Sequence, residues 1–179
     1  MKVEYDVVII GGGPIGSIAS LLLEAKGLSV ALIERNTVPY PFPRAIALNG
    51  FSMGLVKDLI GPELWSEFEF TPGIHVGYVL NKDKMDEPFG LMQPPVIEGK
   101  ILDNDSFGFL NWFNQPQLEG LLRRSIEDRD GITTLYGHEA LVLWEDDLNF
   151  VRVQELSTGE SFDISGKYLL GADGGGSFV

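Results

Sequence analysis

The chain has 179 residues, 44% of them apolar and 22% charged, with a formal net charge of −13. These proportions suit a globular chain with one sizeable core, or one domain and part of a second. The acidic balance argues against nucleic acid and anionic membrane surfaces as partners, and the absence of cysteine excludes disulfides, thiolate nucleophiles and thiolate metal sites.

The N-terminus, MKVEYDVVII, carries an acid before its apolar run and shows no signal-peptide pattern, so a cytoplasmic location is expected. No apolar run approaches the roughly 20 residues that a membrane span needs. The run Val7–Ile10 is short and β-branched, the signature of a buried parallel strand. It leads directly into Gly11-Gly12-Gly13-Pro14-Ile15-Gly16. Apolar residues then recur at Ile15, Ile18, Ala19, Leu22 and Ala25, which predicts a helix buried on that face and ended by Gly27. Val30–Ile33 predicts a second buried strand with Glu34 at its carboxyl end.

This is a βαβ unit with a dinucleotide fingerprint inside it. Gly11 permits the tight turn, Gly13 lets a pyrophosphate approach the backbone, and Gly16 lets helix and strand pack closely. The helix N-terminus offers N–H groups and a positive dipole end to phosphates. Glu34, eighteen residues past Gly16, can accept hydrogen bonds from a ribose diol. An ordinary βαβ turn would need the glycines but leaves that terminal acid unexplained.

Arg35 to Arg44 contains three prolines in five positions, so it reads as a stiff extended loop. Arg44 at its end is either a solvated surface arginine or a phosphate or ribose contact. Ser52–Ile60 predicts a helix with Leu55, Val56, Leu59 and Ile60 inside. From Gly61 to Asp105 the chain is rich in glycine, proline and acids, with candidate strands at 74–80 and 107–113. Asn114 suits an N-cap for a helix beginning at Gln115-Pro116, with Leu118, Leu121, Leu122, Ser125 and Ile126 buried. Arg123, Arg124, Glu127 and Asp128 are expected on its solvated face. Gln115 can bond a ribityl or phosphate oxygen, or its own helix end.

Ile132–Tyr136 predicts a short strand, and 139–144, 149–155 and 160–164 predict an antiparallel set with turns at Asp146-Asp147 and Ser157–Gly159. Lys167–Ala172 predicts a last buried strand ending at Asp173, whose carboxylate can accept a hydroxyl hydrogen bond or cap the turn that follows. The two histidines, His75 and His138, match no metal spacing and are expected as surface or strand residues.

Taken together, GGGPIG with Glu34, the turn Pro43-Arg44-Ala45, Asn114-Gln115-Pro116 and the terminal GADGGGSFV resemble the group A FAD-dependent aromatic hydroxylases, above all the 3-(3-hydroxyphenyl)propionate hydroxylase type. The resemblance runs over the whole chain. It implies a Rossmann-like α/β FAD-binding fold of the GR2 type, with a parallel sheet, a β-meander and the start of a mixed β-sheet substrate domain. Residues 1–72 and 113–179 would form two parts of the FAD-binding domain, with 73–112 opening the substrate domain.

The cofactors implied are FAD and, as reductant, NAD(P)H; the implied substrate is an aromatic small molecule. Gly11, Gly13, Pro14, Ile15 and Gly16 would hold the pyrophosphate and Glu34 the adenosine ribose, with Arg35 a further cofactor-binding residue. Arg44, Gln115 and Asp173 match family positions that contact FAD, and Ala140 falls where a backbone contact to adenine is placed. No catalytic residue is assigned. The family pattern continues past Val179, so the chain is expected to be a fragment or a truncated protein, inactive on its own. The alternatives are another FAD-dependent oxidoreductase, such as a dehydrogenase or halogenase, a non-catalytic dinucleotide-binding module, and an NAD-binding domain.

Overall fold

The computed structural model describes residues 4–42, 44–73, 77–81, 84–92, 96–97, 100–101 and 110–179, with the backbone alone described from 72 to 101. Pro43, His75 and residues 107–109 of the second candidate strand lie outside this set. The elements are β1 (Glu4–Ile10), α1 (Pro14–Glu24), β2 (Val30–Glu34), β3 (Ala47–Asn49), α2 (Gly50–Trp65), β4 (Phe70–Gly73), β5 (Gly77–Asn81), β6 (Lys84–Met92), β7 (Val96–Ile97), β8 (Lys100–Ile101), β9 (Leu110–Phe113), α3 (Gln115–Glu127), β10 (Ile132–Tyr136), β11 (His138–Glu145), β12 (Asn149–Glu155) and β13 (Ser161–Gly171). They form two compact units, Met1–Pro43 with Gln115–Val179, and Arg44–Asn114.

The first unit is built on one sheet in the order β10-β2-β1-β13-β12-β11. The pairs β10–β2, β2–β1 and β1–β13 are parallel, while β12 and β11 continue antiparallel. Val7, Val8, Ile9, Val30, Ala31 and Leu32 are at most 5% exposed, so strands β1 and β2 are buried on both faces, as a parallel sheet between two layers must be. Val8, Ile10, Ala31 and Ile33 pack on Val151, Val153 and Ile164, so the meander β11-β12-β13 covers one face. Helices α1 and α3 pack on each other and on β10, with α1 also against β1 and β2. Each fully buried Leu, Ile or Val contributes on the order of 1.5–3 kcal/mol.

Two expectations from the sequence are corrected here. α1 buries Gly16, Ser17, Ser20 and Leu21, whereas Ile15 is 70% exposed and Leu22 37%. A small-residue face allows a closer approach to the sheet than an isoleucine face would. The buried hydroxyls are satisfied locally, Ser17 Oγ donating to Gly12 O at 3.1 Å and Ser20 Oγ to Ser17 O at 2.8 Å. Second, the last meander strand and the final strand are one element. β13 pairs with β12 over residues 161–166 and with β1 over 165–171. Gly166 lies at the overlap, where a Cβ would stand 2.8 Å from Val8 Cγ2. Beyond it the strand is not buried as expected: Leu169 packs on the core, but Tyr168 and Leu170 alternate to the other face and are exposed.

At the amino edge of this sheet, Asp6 accepts from Lys167 Nζ at 2.7 Å, Ser29 N at 2.9 Å and Ser29 Oγ at 2.9 Å. Lys167 first, then Ser29, holds this carboxyl far below the usual carboxylate range. The clamp ties together the starts of β1, β2 and the parallel half of β13.

The second unit has a three-stranded antiparallel sheet, β3-β9-β4, and two hairpins, β5-β6 and β7-β8. Helix α2 is capped by Asn49, whose Oδ1 accepts from Ser52 N at 2.8 Å. It buries Met53, Val56, Leu59 and Ile60, then kinks at Gly61-Pro62, where Gly61 has φ +77°. Trp65, Phe68, Phe70 and Phe113 form an aromatic cluster with centroid separations of 5.4–6.2 Å.

Candidate functional site

The parallel strands end on one edge, where Glu34, Gly11, Asp173 and Tyr136 stand at or just past the ends of β2, β1, β13 and β10. Ligands of open α/β sheets bind outside this carboxyl edge. The turn after β1 is wedged between its two neighbours. Gly11 N donates to Ile33 O at 2.8 Å on one side, and Ala172 N to Ile10 O at 2.7 Å on the other.

Each glycine of the turn answers a different constraint. Gly11 has φ +106°, and a Cβ there would stand 2.3 Å from Ala172 O. A Cβ on Gly16 would stand 1.8 Å from Gly11 O, so the helix start sits directly on the turn. A Cβ on Gly12 would stand 2.7 Å from Glu34 Cβ. Gly13 differs, because no atom of the described residues lies within 4 Å of its would-be Cβ. Neither φ, at −71°, nor the protein's own packing therefore requires glycine at 13. The space in front of it is what a phosphate approaching this backbone would use.

α1 begins at this open space. Its N-cap is Gly13, with no side-chain cap, Pro14 at the start and no acid in the first turn. The missing N–H of Pro14 costs nothing there, and Ile15 and Gly16 present N–H groups at the positive end of the helix dipole. Such a terminus, bare of carboxylate and hydroxyl caps, fits an anion.

Glu34 is held by three N–H donors. Oε2 accepts from Gly12 N at 2.8 Å, and Oε1 accepts from Asn36 N at 2.8 Å and Asn36 Nδ2 at 2.7 Å. With one donor on Oε2, that oxygen keeps acceptor capacity for a hydroxyl. Arg35 is exposed and borders a cleft of about 410 Å³ that is also lined by Thr37, Tyr40, Tyr136 and Leu156.

Asp173 stands on the other side of the turn. Its Oδ1 accepts from Ser177 Oγ at 2.6 Å and its Oδ2 from Phe178 N. Burial pushes this carboxyl up, but the bonds from Ser177 and Phe178 outweigh it and hold the group below its usual value.

The remaining candidates lie elsewhere. Gln115 is buried, and its Nε2 donates to Glu119 Oε1 at 2.7 Å along its own helix. Ala140, in β11 of the meander, packs on the core next to a register shift between residues 140 and 142. Arg44 is exposed and belongs to the Arg44–Asn114 unit. His138 lies in β11 with Nδ1 2.8 Å from Tyr136 O. Among the described residues there is no cluster of three metal-ligating side chains, and no helix is long and apolar enough to cross a membrane.

Three participants escaped the sequence reading: Gly12, Asn36 and Arg123. Gly12 was hidden among its neighbours in a glycine run. Asn36 carried a faint signal, as a residue able to fold back on an acid two positions earlier. Arg123 was expected in solvent and is only 8% exposed, with Nη1 donating to Thr37 O at 2.8 Å.

Known proteins resemble this chain in sequence and in fold. The chain is 30% identical to the 3-(3-hydroxy-phenyl)propionate/3-hydroxycinnamic acid hydroxylase 1 of Burkholderia vietnamiensis (strain G4 / LMG 22486), across 99% of this chain and 27% of that protein. It is 31% identical to a probable NADH-specific resorcinol 4-hydroxylase of Rhodococcus jostii (strain RHA1), across 97% of this chain and 31% of the relative. The crystal structure of the flavin-dependent monooxygenase PieE, in complex with FAD and substrate, superposes with a TM-score of 0.74 at 26% identity, over 98% of this chain and 31% of that one. The chain thus spans under a third of the length of these relatives. A family model described as an FAD binding domain matches residues 4–179, so the chain, with its glycine turn, open helix start and strand-end acid, belongs to the FAD binding domain family.

Proposed function

We propose that this chain is the part of an NAD(P)H-dependent flavoprotein monooxygenase that holds the adenosine and pyrophosphate of FAD, and that the whole protein hydroxylates a phenolic or other aromatic small molecule. The observation that carries the proposal is the open, uncapped start of α1 over Gly13, beside a Glu34 carboxylate already oriented by Gly12 and Asn36. In this reading Gly11, Gly13, Pro14, Ile15 and Gly16 receive the pyrophosphate, Glu34 receives the adenosine ribose, and Arg35 lies beside it. Arg44, Gln115, the backbone at Ala140, and Asp173 complete the contacts. Residues 1–72 and 113–179 serve the cofactor, and 73–112 open the substrate domain.

FAD, when bound, would supply the redox and oxygen chemistry. The chain's own residues bind its adenylate end, orient it and fix the turn against β1. The names of the relatives support an aromatic substrate, and one of them supports a nicotinamide reductant. A nicotinamide-dependent reaction supports a cytoplasmic setting.

Equilibrium dialysis of the purified 179-residue chain against FAD and NAD tests the cofactor. FAD is expected to bind in preference, and preferential NAD binding would sink the assignment. In the full-length parent, NAD(P)H oxidation stimulated by phenols is expected. A flavoprotein that oxidises NAD(P)H at a rate indifferent to every phenol would point to another oxidoreductase.

A further inference from the structure

Arg123 is a buried cation that the proposed cofactor contacts do not use. It sits on α3, and its guanidinium carbon lies 4.3 Å from the centroid of the Tyr136 ring. Nη1 donates to Thr37 O at 2.8 Å, and Nη2 makes a longer contact of 3.4 Å to Asn36 O. Arg123 Nε and Tyr136 Oη are buried without a hydrogen-bond partner among the described residues. Burying a guanidinium is costly unless its donors are well used. Here they are used on one short segment, the two residues that follow Arg35.

That segment controls Glu34. Asn36 supplies both donors to Glu34 Oε1. Tyr136, beneath the guanidinium, is the residue paired with Glu34 across the β10–β2 ladder. One side chain therefore braces Glu34 from two directions: through the carbonyls of the loop that closes on its carboxylate, and through the ring on its neighbouring strand. Only a planar fork can stack on an aromatic face and reach two carbonyls together. A lysine ammonium cannot do both.

We propose that Arg123 is a positioning residue for the adenosine-ribose site: it pins Asn36 and Thr37 so that Asn36 saturates Glu34 Oε1 and Oε2 stays turned toward Gly12 and the ligand. This rests on the reading of Glu34 as the ribose acceptor of FAD. The effect of Arg123 on the cofactor must then pass through Glu34, which a purely structural arginine would not require.

The test is a double-mutant cycle on the 179-residue chain, with FAD affinity read by dialysis. Arg123→Met should weaken FAD about tenfold when Glu34 is present, the loss expected for a charge-assisted hydrogen bond set out of place. It should weaken FAD less than about twofold over Glu34→Ala. Equal losses in both backgrounds overturn the proposal. Amide exchange on the unliganded chain gives a second, cofactor-free answer. Arg123→Met, and likewise Arg123→Lys, should speed exchange at Asn36 and Gly12 by about tenfold or more while Ile9 and Leu32 stay protected. Unchanged exchange at Asn36, or a uniform loss that includes Ile9 and Leu32, assigns Arg123 a structural role and overturns the proposal. If the wild-type chain binds no FAD, the proposed cofactor fails, while the exchange measurement still decides whether Arg123 holds Asn36 and Glu34.

Discussion

Two carboxylates flank the glycine turn at the carboxyl edge, and they are held in opposite ways. Glu34, on the β2 side, takes a donor from Gly12, twenty-two residues away in the chain, and two more from Asn36. Asp173, on the β13 side, takes donors from Ser177 and Phe178, four and five residues further along. The first hold includes a tertiary clasp, the Gly12 bond, which exists only when the βαβ unit is folded. The second is a local cap that its own loop can form and release. The Glu34 side of the binding edge is therefore expected to be the more rigid, and the Asp173 side the more adaptable.

Substitutions in the turn can break this contrast. The largest effect is expected from Gly11→Ala, which combines a positive φ with a Cβ 2.3 Å from the carbonyl oxygen of Ala172. The combined conformational and steric penalty is about 3 kcal/mol or more. Thermal unfolding should show a large fall in Tm, and an unchanged Tm would mean the two strand ends do not grip the turn. Gly13→Val is expected to separate folding from binding. Among the described residues no atom contests its Cβ, so Tm should shift little while FAD affinity is lost, because the branched side chain would fill the space proposed for the pyrophosphate. Retained FAD binding would move the pyrophosphate off this turn.

Glu34→Ala should weaken FAD by about ten- to a hundredfold, the equivalent of roughly 1.5–3 kcal/mol for a hydrogen bond to a charged acceptor. An unchanged dissociation constant removes Glu34 from the site. Asp173→Asn should have the smallest effect on FAD, about threefold. Its signature is instead a pH dependence. The Asp173 carboxyl is depressed in the folded chain, so its contribution is present above the ordinary carboxylate range and is lost as pH falls through and below about 4. Protection of the Phe178 amide from exchange should decline in that window in the wild type, and should be flat with pH in the Asn variant. A larger loss of FAD affinity from Asp173→Asn than from Glu34→Ala would reverse the assignment of the rigid side.

The local signals were legible in order along the chain. Apolar runs at 7–10 and 30–33, the glycines at 11–16 and the acid at 34 stand in register because a βαβ turn is built from consecutive residues. The leucine face of α3 was legible for the same reason: Leu118, Leu121, Leu122 and Ile126 bury as their spacing predicts. Where the local pattern misled, tertiary packing won. α1 turned Ser17 and Ser20 inward and left Ile15 outside, and where the helix start meets the turn, at Gly16 against Gly11, there is no room for a side chain.

The sequence by itself thus determined the dinucleotide turn, the strand-end acid and the likeness to FAD-binding aromatic hydroxylases, since each rests on neighbours in the chain or on ordered motifs. The tertiary structure alone decided what no periodicity encodes. It set β13 beside β1, pairing Glu4 with Ser165, and continued one strand from the meander into the parallel sheet. It closed Glu34 onto Gly12, and it buried Arg123 against Tyr136 behind the loop that holds Glu34. These contacts join segments up to 161 residues apart, and their energies come from pairing and burial that exist only once the sheet is assembled.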